Sequence, residues 1–536
     1  MFDSNQIYKP SSKDQKDWQD WWRSLPSRFW HWLKPLRRHR YWTIVLKRTS
    51  RNSKRKLSHW IQLLFVLSPI QFYRLFQTSM GKELLLQLRN LIKYVNQADD
   101  LLALQLHSSA KAKPVNSLGK FKSYVRLNLY WIHQTLERFQ QLNEATKKVV
   151  EVIRQLAEKE AITSTVVDFS QLPDLRKRGN YEPCKQNLLL EDSKRDPAGI
   201  RSAVRTFQVS LYQPQPWPEG KIPIIVISHG LGSSPDDFKE YAEHLTSHGY
   251  FVAIPQHPGS DANQIQDMLA GNSNEIFKLQ EFLDRPLDIT YLLDELERRN
   301  STQFGDRLNL NSVGVIGHSF GAYTALALAG AEINFDKLEK ACGSKIEPIN
   351  LSLLLQCRAL HLPRHIYNFR DPRIKAVLPV DCVGSEVFGA NGVEQIQIPL
   401  LMITGTEDRT APAIIEQIRM FPWLKTSHRY LALMKGKAHL GTFSKMETRF
   451  KAILVQLLPN SQDSDMRIFC NYAYAISLAF FEVYLRDNQA DLPYLQASYA
   501  QYISQDPFDF YLISAISAPA IAQMLAHYNF SQNAVN

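Results

Sequence analysis

Apolar and polar residues are arranged in two different ways along the 536-residue chain. From about residue 60 to residue 165, apolar residues recur every three or four positions, which is typical of amphipathic helices. The groups that show this spacing are Leu84, Leu85, Leu88, Leu91, Ile92 and Val95, then Val149, Val152, Ile153 and Leu156. Beyond residue 205, short β-branched runs alternate with helical stretches. This second pattern predicts an α/β fold, with a mostly parallel sheet and helices on both faces.

Short apolar runs predict the strands of that sheet. Residues 205–212 alternate between polar and apolar side chains, whereas residues 222–228 are almost continuously apolar, as in a strand buried on both faces. Further strands are predicted at residues 251–254, 312–318, 374–380, 399–404 and 430–434, and helices at residues 236–248 and 286–299.

These changes of pattern divide the chain into four predicted parts. Residues 1–60 form an N-terminal arm, 61–165 a helical domain, 166–200 a polar connector with three prolines, and 201–536 the α/β domain. Residues 331–371 lack the strand–helix rhythm and are interpreted as either a cap over the site or a surface excursion. Because the chain exceeds the usual size of a single core, more than one domain is expected.

One stretch favours a nucleophilic serine. The sequence Gly317-His-Ser-Phe-Gly321 follows a predicted strand and precedes a run of Ala, Leu and Thr that predicts a helix. Glycines two positions before and after Ser319 let the flanking segments pass close to a strained turn, which presents the serine hydroxyl. We therefore predict that Ser319 is the nucleophile. The alternative is a solvent-facing serine in an ordinary strand–helix turn.

A second glycine-containing loop follows the strand at residues 222–228 and reads His229-Gly-Leu-Gly232. Its first two glycines resemble the start of a dinucleotide fingerprint, but Pro235 stands where the third glycine belongs. The preferred interpretation is an oxyanion hole, in which the backbone N–H groups of Leu231 and Phe320 face the developing charge.

Acidic residues and one histidine follow the later strands. Asp381 and Asp408 each come after a predicted strand, and His439 follows the last one. The loops at the carboxyl ends of parallel strands share one edge of the sheet, so Ser319, an acid and His439 can converge there. The order Ser, Asp, His is that of an α/β-hydrolase. We choose Asp408 as the acid over Asp381, and expect the adjacent Glu407 to point elsewhere.

Positive charge is concentrated in the arm. Residues 1–60 contain 15 Lys or Arg and 4 Asp or Glu, an excess of 11 that equals the formal net charge of the whole chain. The arm also contains seven of the ten tryptophans. Basic and aromatic residues together favour peripheral contact with an anionic membrane. Nucleic-acid binding is the rival use, although no nucleic-acid partner is expected, and packing of the tryptophans on the next domain is a third interpretation.

The arm starts with polar and charged residues, so no secretory signal is recognised, and no membrane-spanning helix is recognised either. A cytoplasmic protein that the arm could bring to a membrane surface is expected. The five cysteines show no C-x-x-C spacing, which argues against a zinc or thioredoxin-like site. Cys342 and Cys357 could form a disulfide in an oxidising compartment.

Several motifs carry a resemblance to known α/β-hydrolases. Ser228-His-Gly-Leu-Gly, Tyr241-Ala-Glu-His-Leu, His257-Pro-Gly-Ser and Gly317-His-Ser-Phe-Gly resemble the platelet-activating-factor acetylhydrolase and dienelactone hydrolase branch. Asp284-Arg-Pro-Leu-Asp and Leu353-Leu-Leu-Gln-Cys-Arg are similar to bacterial predicted dienelactone hydrolases with a helical N-terminal domain, which Ser68-Pro-Ile and Gly81-Lys-Glu-Leu-Leu also resemble. The resemblance covers about residues 60–520.

The resemblance implies an α/β-hydrolase fold preceded by a helical domain, and an esterase that forms an acyl-serine intermediate without a metal or organic cofactor. The acetylhydrolase pattern favours Asp381 as the acid and the dienelactone hydrolase pattern favours Asp408. Because the nucleophile position holds Ser319 rather than Cys, ordinary carboxylic esters, including lipid esters, are the expected substrates. The alternative is an inactive hydrolase fold that serves as a binding or scaffold protein at a membrane surface.

Overall fold

The computed structural model describes residues 74, 77–81, 117–195, 204–343, 350–439 and 463–526. The N-terminal arm and the predicted helix face from Leu84 to Val95 lie outside these residues. The strands are β1 (Glu182–Asp192), β2 (Arg205–Gln215), β3 (Ile222–Ser228), β4 (Phe251–Pro255), β5 (Leu308–His318), β6 (Ile374–Val380), β7 (Leu400–Gly405), β8 (Arg429–Met434) and β9 (Phe510–Ser514).

The described residues also form helices, which are numbered in chain order. They are α1 (Ser117–Thr163), α2 (Lys239–Ser247), α3 (Ala262–Ala270), α4 (Glu281–Gln303), α5 (Phe320–Leu328), α6 (Phe335–Gly343), α7 (Ser352–Gln356), α8 (Ser385–Val393), α9 (Gln417–Met420), α10 (Asp463–Leu485), α11 (Ala497–Ile503) and α12 (Ala518–Ala526). Short 3₁₀ turns span Phe169–Gln171, Pro235–Phe238, Cys357–His361, Phe421–Trp423, Gln489–Leu495 and Ala515–Ser517.

The nine strands form one sheet in the order β1-β2-β4-β3-β5-β6-β7-β8-β9. The six strands from β4 to β8 in that order pair in parallel, and β1, β2 and β9 add antiparallel edges. Successive β3 side chains enter opposite cores: Ile224 and Val226 belong to one, Ile225 and Ile227 to the other. This two-sided burial explains the continuous apolar run, and the predicted α/β-hydrolase fold is confirmed.

Helix α1 packs its last turns against the sheet. Ala145, Val149, Ile153 and Ala157 are buried at four-residue spacing in the same core as the central strands. Beyond them, the Glu160 carboxylate accepts a hydrogen bond from the Ser514 N–H at the end of β9, at 3.1 Å. The helix predicted from Val149 to Leu156 is therefore present, and its buried face belongs to the same hydrophobic core as the central strands. The domain boundary at residue 165 stays a prediction.

The structure differs from the sequence analysis in the connector. Residues 166–200 are predicted to be a polar connector, yet they contain β1, which pairs along its whole length with β2. Most side chains of β1 are exposed because it is an edge strand, so it lacks the apolar alternation on which the sequence analysis relied. The sheet consequently begins at residue 182 rather than after residue 201.

Helix α10 was not predicted. Within the described residues it is the one helix, at Met466–Leu485, long and apolar enough to cross a membrane by length and composition. It lies instead under β5, β6 and β7, where Phe469, Ala475 and Phe481 are fully buried. Burial in a protein core accounts for its composition.

The segment predicted as a cap or surface excursion contains α6 and α7, and a disulfide joins Cys342 of α6 to Cys357, the residue that follows α7. The buried Glu416 carboxylate holds this segment in place: it accepts hydrogen bonds from Asn350, Ser352 and Gln356. The same carboxylate accepts from the backbone N–H groups of residues 384 and 385, after β6. The segment is thereby tied to the carboxyl edge of the sheet, and its role as a cap stays a prediction.

Candidate active site

A sharp turn between β5 and α5 holds Ser319. Its φ of 56° and ψ of −116° lie in a region that is strained for a residue with a side chain. Two glycines make the turn possible, because a Cβ at Gly321 would overlap the Ser228 carbonyl oxygen and one at Gly317 would overlap the Gly321 carbonyl oxygen. The strand, turn and helix expected around Ser319 are all present.

His439 lies between the serine and an acid. Its Nε2 is 2.9 Å from Ser319 Oγ, and its Nδ1 is 2.7 Å from Asp408 Oδ2. Ser319 follows β5, Asp408 follows β7 and His439 follows β8. These strands lie in the parallel part of the sheet, where β6 separates β5 from β7 and where β7 and β8 are neighbours. Strand order thus brings three distant sequence positions to one edge. The arrangement has the geometry of a nucleophile, a base and an orienting acid.

Asp408 is held in place by its own loop. Its Oδ1 accepts hydrogen bonds from the backbone N–H groups of Thr410 and Ala411, both at 2.8 Å. One carboxylate oxygen is therefore fixed by the backbone while the other faces His439. An acid held this way fixes the histidine tautomer and stabilises the imidazolium ion.

Asp381, the second candidate acid, has a different partner. It immediately follows β6, and its Oδ2 accepts a hydrogen bond from Lys437 Nζ. Both side chains are fully buried. The His318 Nε2 lies 3.7 Å from the same oxygen. The structure thus brings Asp408, and not Asp381, into hydrogen-bonding contact with His439.

The charges around His439 raise its pKa above 6.5. Burial alone would lower the pKa, but attraction and hydrogen bonding to Asp408 outweigh burial. Asp381 contributes in the same direction, whereas Lys437 opposes it. A raised pKa makes His439 a stronger base toward the Ser319 proton.

The two predicted oxyanion donors flank Ser319. Phe320 is the first residue of α5, where no preceding helical carbonyl can accept its N–H. On the other side, a Cβ built on Gly230 would lie 3.3 Å from Ser319 Cβ, so the loop that carries Leu231 passes directly beside the serine. The Phe320 N–H and the Gly230–Leu231 turn thus lie beside Ser319, and their role as an oxyanion hole stays a prediction.

His229 and the Ser233 N–H, which donates to the Gly230 carbonyl at 3.3 Å, together hold the peptide unit that carries the Leu231 N–H. The ring Nδ1–H donates to the Gly230 carbonyl at 2.8 Å, and the ring Nε2 accepts from the His257 backbone N–H at 3.1 Å. Burial lowers the pKa of His229 well below its usual value, so the ring is neutral. Because a peptide unit is planar, anchoring the Gly230 oxygen on one side turns the Leu231 N–H to the other. Sequence reasoning assigned no role to this histidine.

Arg285, in α4, supports both sides of the predicted oxyanion hole. Its guanidinium is fully buried, donates to the His229 carbonyl at 2.6 Å and to Ser260 Oγ at 2.9 Å, and lies 4.4 Å from the centre of the Phe320 ring. Burial lowers the pKa of Arg285 to about 10. Sequence reasoning noted the motif around this residue only as a resemblance, since periodicity gives no sign that an arginine is buried.

A second chain of Ser, His and Asp lies beside the His229–Gly232 loop. Ser228 Oγ is 3.0 Å from His257 Nε2, and His257 Nδ1 is 2.9 Å from Asp288 Oδ2. All three residues are fully buried, and burial lowers the pKa of His257 to about 4. Asp288 also pairs with Arg195 and Arg205. A neutral histidine without access to solvent serves to join β3, β4 and α4 rather than to react.

The side chains of His318, Asp381 and His439 are close enough to hold a metal ion, with ligand atoms within 4.8 Å of one another. Several of these atoms already have other partners, however. The His439 Nε2 faces Ser319 and its Nδ1 faces Asp408, while the Lys437 ammonium donates a hydrogen bond to Asp381 Oδ2. This donor set fits hydrogen bonding better than coordination of a cation.

The mostly parallel sheet and the strained serine at its carboxyl edge define an α/β-hydrolase. The model of the chlorophyllase family matches residues 178–502, which include Ser319, Asp408 and His439. Because this range is more than half of the chain, the protein belongs to the chlorophyllase family. No curated protein matches the chain. Membership makes the protein a carboxylic ester hydrolase, while the dienelactone hydrolase or acetylhydrolase branch stays a prediction.

Proposed function

We propose that the protein is a serine carboxylesterase in which Ser319, His439 and Asp408 form the catalytic triad. The observation that carries the proposal is the placement of one imidazole between the serine oxygen, at 2.9 Å, and the carboxylate, at 2.7 Å. A serine hydroxyl is a weak nucleophile until a neighbouring base accepts its proton.

The reaction proceeds through an acyl-serine. Ser319 Oγ attacks the ester carbonyl carbon as its proton passes to His439 Nε2, and the N–H groups of Leu231 and Phe320 stabilise the resulting oxyanion. The intermediate collapses, and the alcohol leaves with the proton from Nε2. Water then gives a proton to Nε2 and its oxygen to the acyl carbon, which releases the carboxylic acid and restores Ser319.

We propose esters with a large apolar part as the substrate class. The family takes its name from chlorophyll, itself an ester of a long apolar alcohol, and lipid esters are the class that the sequence resemblance implies. The basic, tryptophan-rich arm of residues 1–60 is proposed to bring the enzyme to an anionic membrane, where such esters reside. Flotation of the full-length protein with anionic but not with neutral liposomes tests this contact.

The decisive experiment compares the wild-type enzyme with Ser319→Ala on p-nitrophenyl butyrate, lipid esters and chlorophyll. Loss of the nucleophile is expected to reduce kcat on the order of 10⁶-fold while the fold is kept. Trapping of an acyl group on Ser319, detected by mass spectrometry, provides independent support. Equal turnover by the two proteins would contradict the proposal.

A further inference from the structure

A second carboxylate lies beside His439 without contacting it. Asp381 is fully buried, and one of its oxygens lies within 4.8 Å of a ring nitrogen of His439. It immediately follows β6, and its backbone φ of 45° is positive, which is uncommon for residues other than glycine. The site therefore contains two carboxylates within reach of one imidazole.

Lys437 holds this second carboxylate. Its fully buried ammonium donates to Asp381 Oδ2 and, at 3.2 Å, to the Ala438 carbonyl. Lys437 lies only two residues before His439, in the loop after β8. A buried carboxylate needs a cationic or hydrogen-bonding partner, because leaving it unpaired is strongly destabilising.

The two carboxylates differ in the acceptors they still offer. Asp408 uses both oxygens, one for backbone N–H groups and one for His439. Asp381 uses Oδ2 for Lys437, while its Oδ1 is buried and has no hydrogen-bond partner among the residues that the structure describes. Asp381 thus retains a free acceptor close to the catalytic imidazole.

We propose that Asp381 is a second acid that can take the place of Asp408 at His439, and we call it the reserve acid. Lys437 is the positioning residue that keeps Asp381 away from His439. Asp408 is consequently the acid that orients the ring. The groups facing His439 are Ser319, Asp408, Asp381, Lys437 and His318, whose Nε2 lies 2.9 Å from the His439 carbonyl oxygen. The inference rests on the proposed roles of Ser319 and His439.

The test measures kcat with p-nitrophenyl butyrate in an Asp408→Asn background. Adding Lys437→Met removes the ammonium at similar length, so Asp381 turns to the imidazole as its new partner. We expect kcat to rise about tenfold over Asp408→Asn alone, equivalent to about 1.4 kcal/mol of transition-state stabilisation. Lys437→Arg keeps the charge and is expected to give no rise.

The triple variant Asp408→Asn/Lys437→Met/Asp381→Asn is the control. It is expected to lose the recovered activity, because the reserve carboxylate is gone. A folded double variant without recovery would overturn the proposal, and so would recovery that persists in the triple variant. Thermal unfolding of every variant establishes that each is folded.

Failure of the double variant to fold is also informative. If it regains its fold when Asp381→Asn is added, the unpaired carboxylate found no partner at His439, and the proposal is wrong. Failure of the proposed triad gives a different result: the single variant Asp381→Asn would then lose more activity than Asp408→Asn. The acid assignment and the role of Lys437 are thus tested separately.

Discussion

Ser319 and His439 are separated by 120 residues in sequence, yet the serine Oγ and the histidine Nε2 lie 2.9 Å apart. Two separate loops, after β5 and after β8, supply them, and a third loop supplies Asp408. Precise placement of all three depends on strand order in one sheet. The side chains that hold these loops therefore contribute to activity by keeping the three groups in register.

The first prediction ranks the two acids. Asp408→Asn removes the carboxylate that contacts His439 Nδ1 and is expected to lower kcat about 10⁴-fold, the scale found when an acid of this kind is replaced by its amide. Asp381→Asn leaves that contact intact and is expected to cost less. Steady-state kinetics on one soluble ester compares them directly, and the opposite ranking would identify Asp381 as the acid.

The second prediction concerns pH. His439 acts as a base only when neutral, and its pKa is raised above 6.5, chiefly by Asp408 acting against burial. We expect kcat/KM to fall as the pH decreases through a value above 6.5. In the Asp408→Asn variant, the decrease of the residual activity with decreasing pH should occur at a lower pH than in the wild type. The reason is that the main charge that raises the pKa of His439 is gone. An unchanged acid limb would show that another group is titrating.

The third prediction tests the anchor of the oxyanion loop. His229→Ala removes the shorter of the two hydrogen bonds that the Gly230 carbonyl accepts, the other coming from the Ser233 N–H at 3.3 Å, and so loosens the orientation of the Leu231 N–H. Loss of one oxyanion donor costs about 10²- to 10³-fold in kcat, so we expect a decrease of that size with little change in KM. His248→Ala, which alters a histidine near the end of α2, is the matched control. Equal effects of the two variants would argue against a role in orientation.

The fourth prediction concerns the disulfide between Cys342 and Cys357. The bond closes a loop with a sequence separation of 15, and closing a loop of about that size stabilises a fold by about 3 kcal/mol. The variant Cys342→Ser/Cys357→Ser is expected to unfold at lower temperature. Cys184→Ser, at an exposed free cysteine, should leave the Tm unchanged.

The fifth prediction concerns Glu416. Replacement by Ala leaves buried donors from α7 and the loop after β6 without an acceptor, and is expected to cost at least about 3 kcal/mol. Chemical denaturation measures the loss. Glu407→Ala changes an exposed acid in the loop after β7. Its carboxylate has no such partners among the described residues, so this variant should change stability little.

The sequence predicted those parts whose physical cause is local. Strand β3 was recognisable because burial on both faces requires a continuous apolar run, and the turn at Ser319 because only glycines fit beside it. Strand β1 was missed because an edge strand with exposed side chains has no such pattern. This strand exists because it pairs with β2, and such a pairing is a tertiary contact that the local sequence pattern does not show.

The supporting charges could not be predicted for a related reason. Arg285 and Lys437 are fully buried, and each donates to a partner more than 50 residues away in sequence, the His229 carbonyl and the Asp381 carboxylate respectively. A single sequence shows the charge but not the partner. The choice between Asp408 and Asp381 likewise depended on which loop brings its oxygen to His439, a matter of a few ångströms.

Helix α10 has a consequence for the order in which the protein is made. It covers the underside of β5, and Ser312 of that strand donates to the carbonyl of Leu485, 173 residues further on. During synthesis from the N-terminus, the central strands leave the ribosome long before the segment that shields them. The nascent chain must keep one apolar face of its sheet out of contact with other molecules until residue 485 has emerged. A chaperone that shields this face would therefore act late in translation.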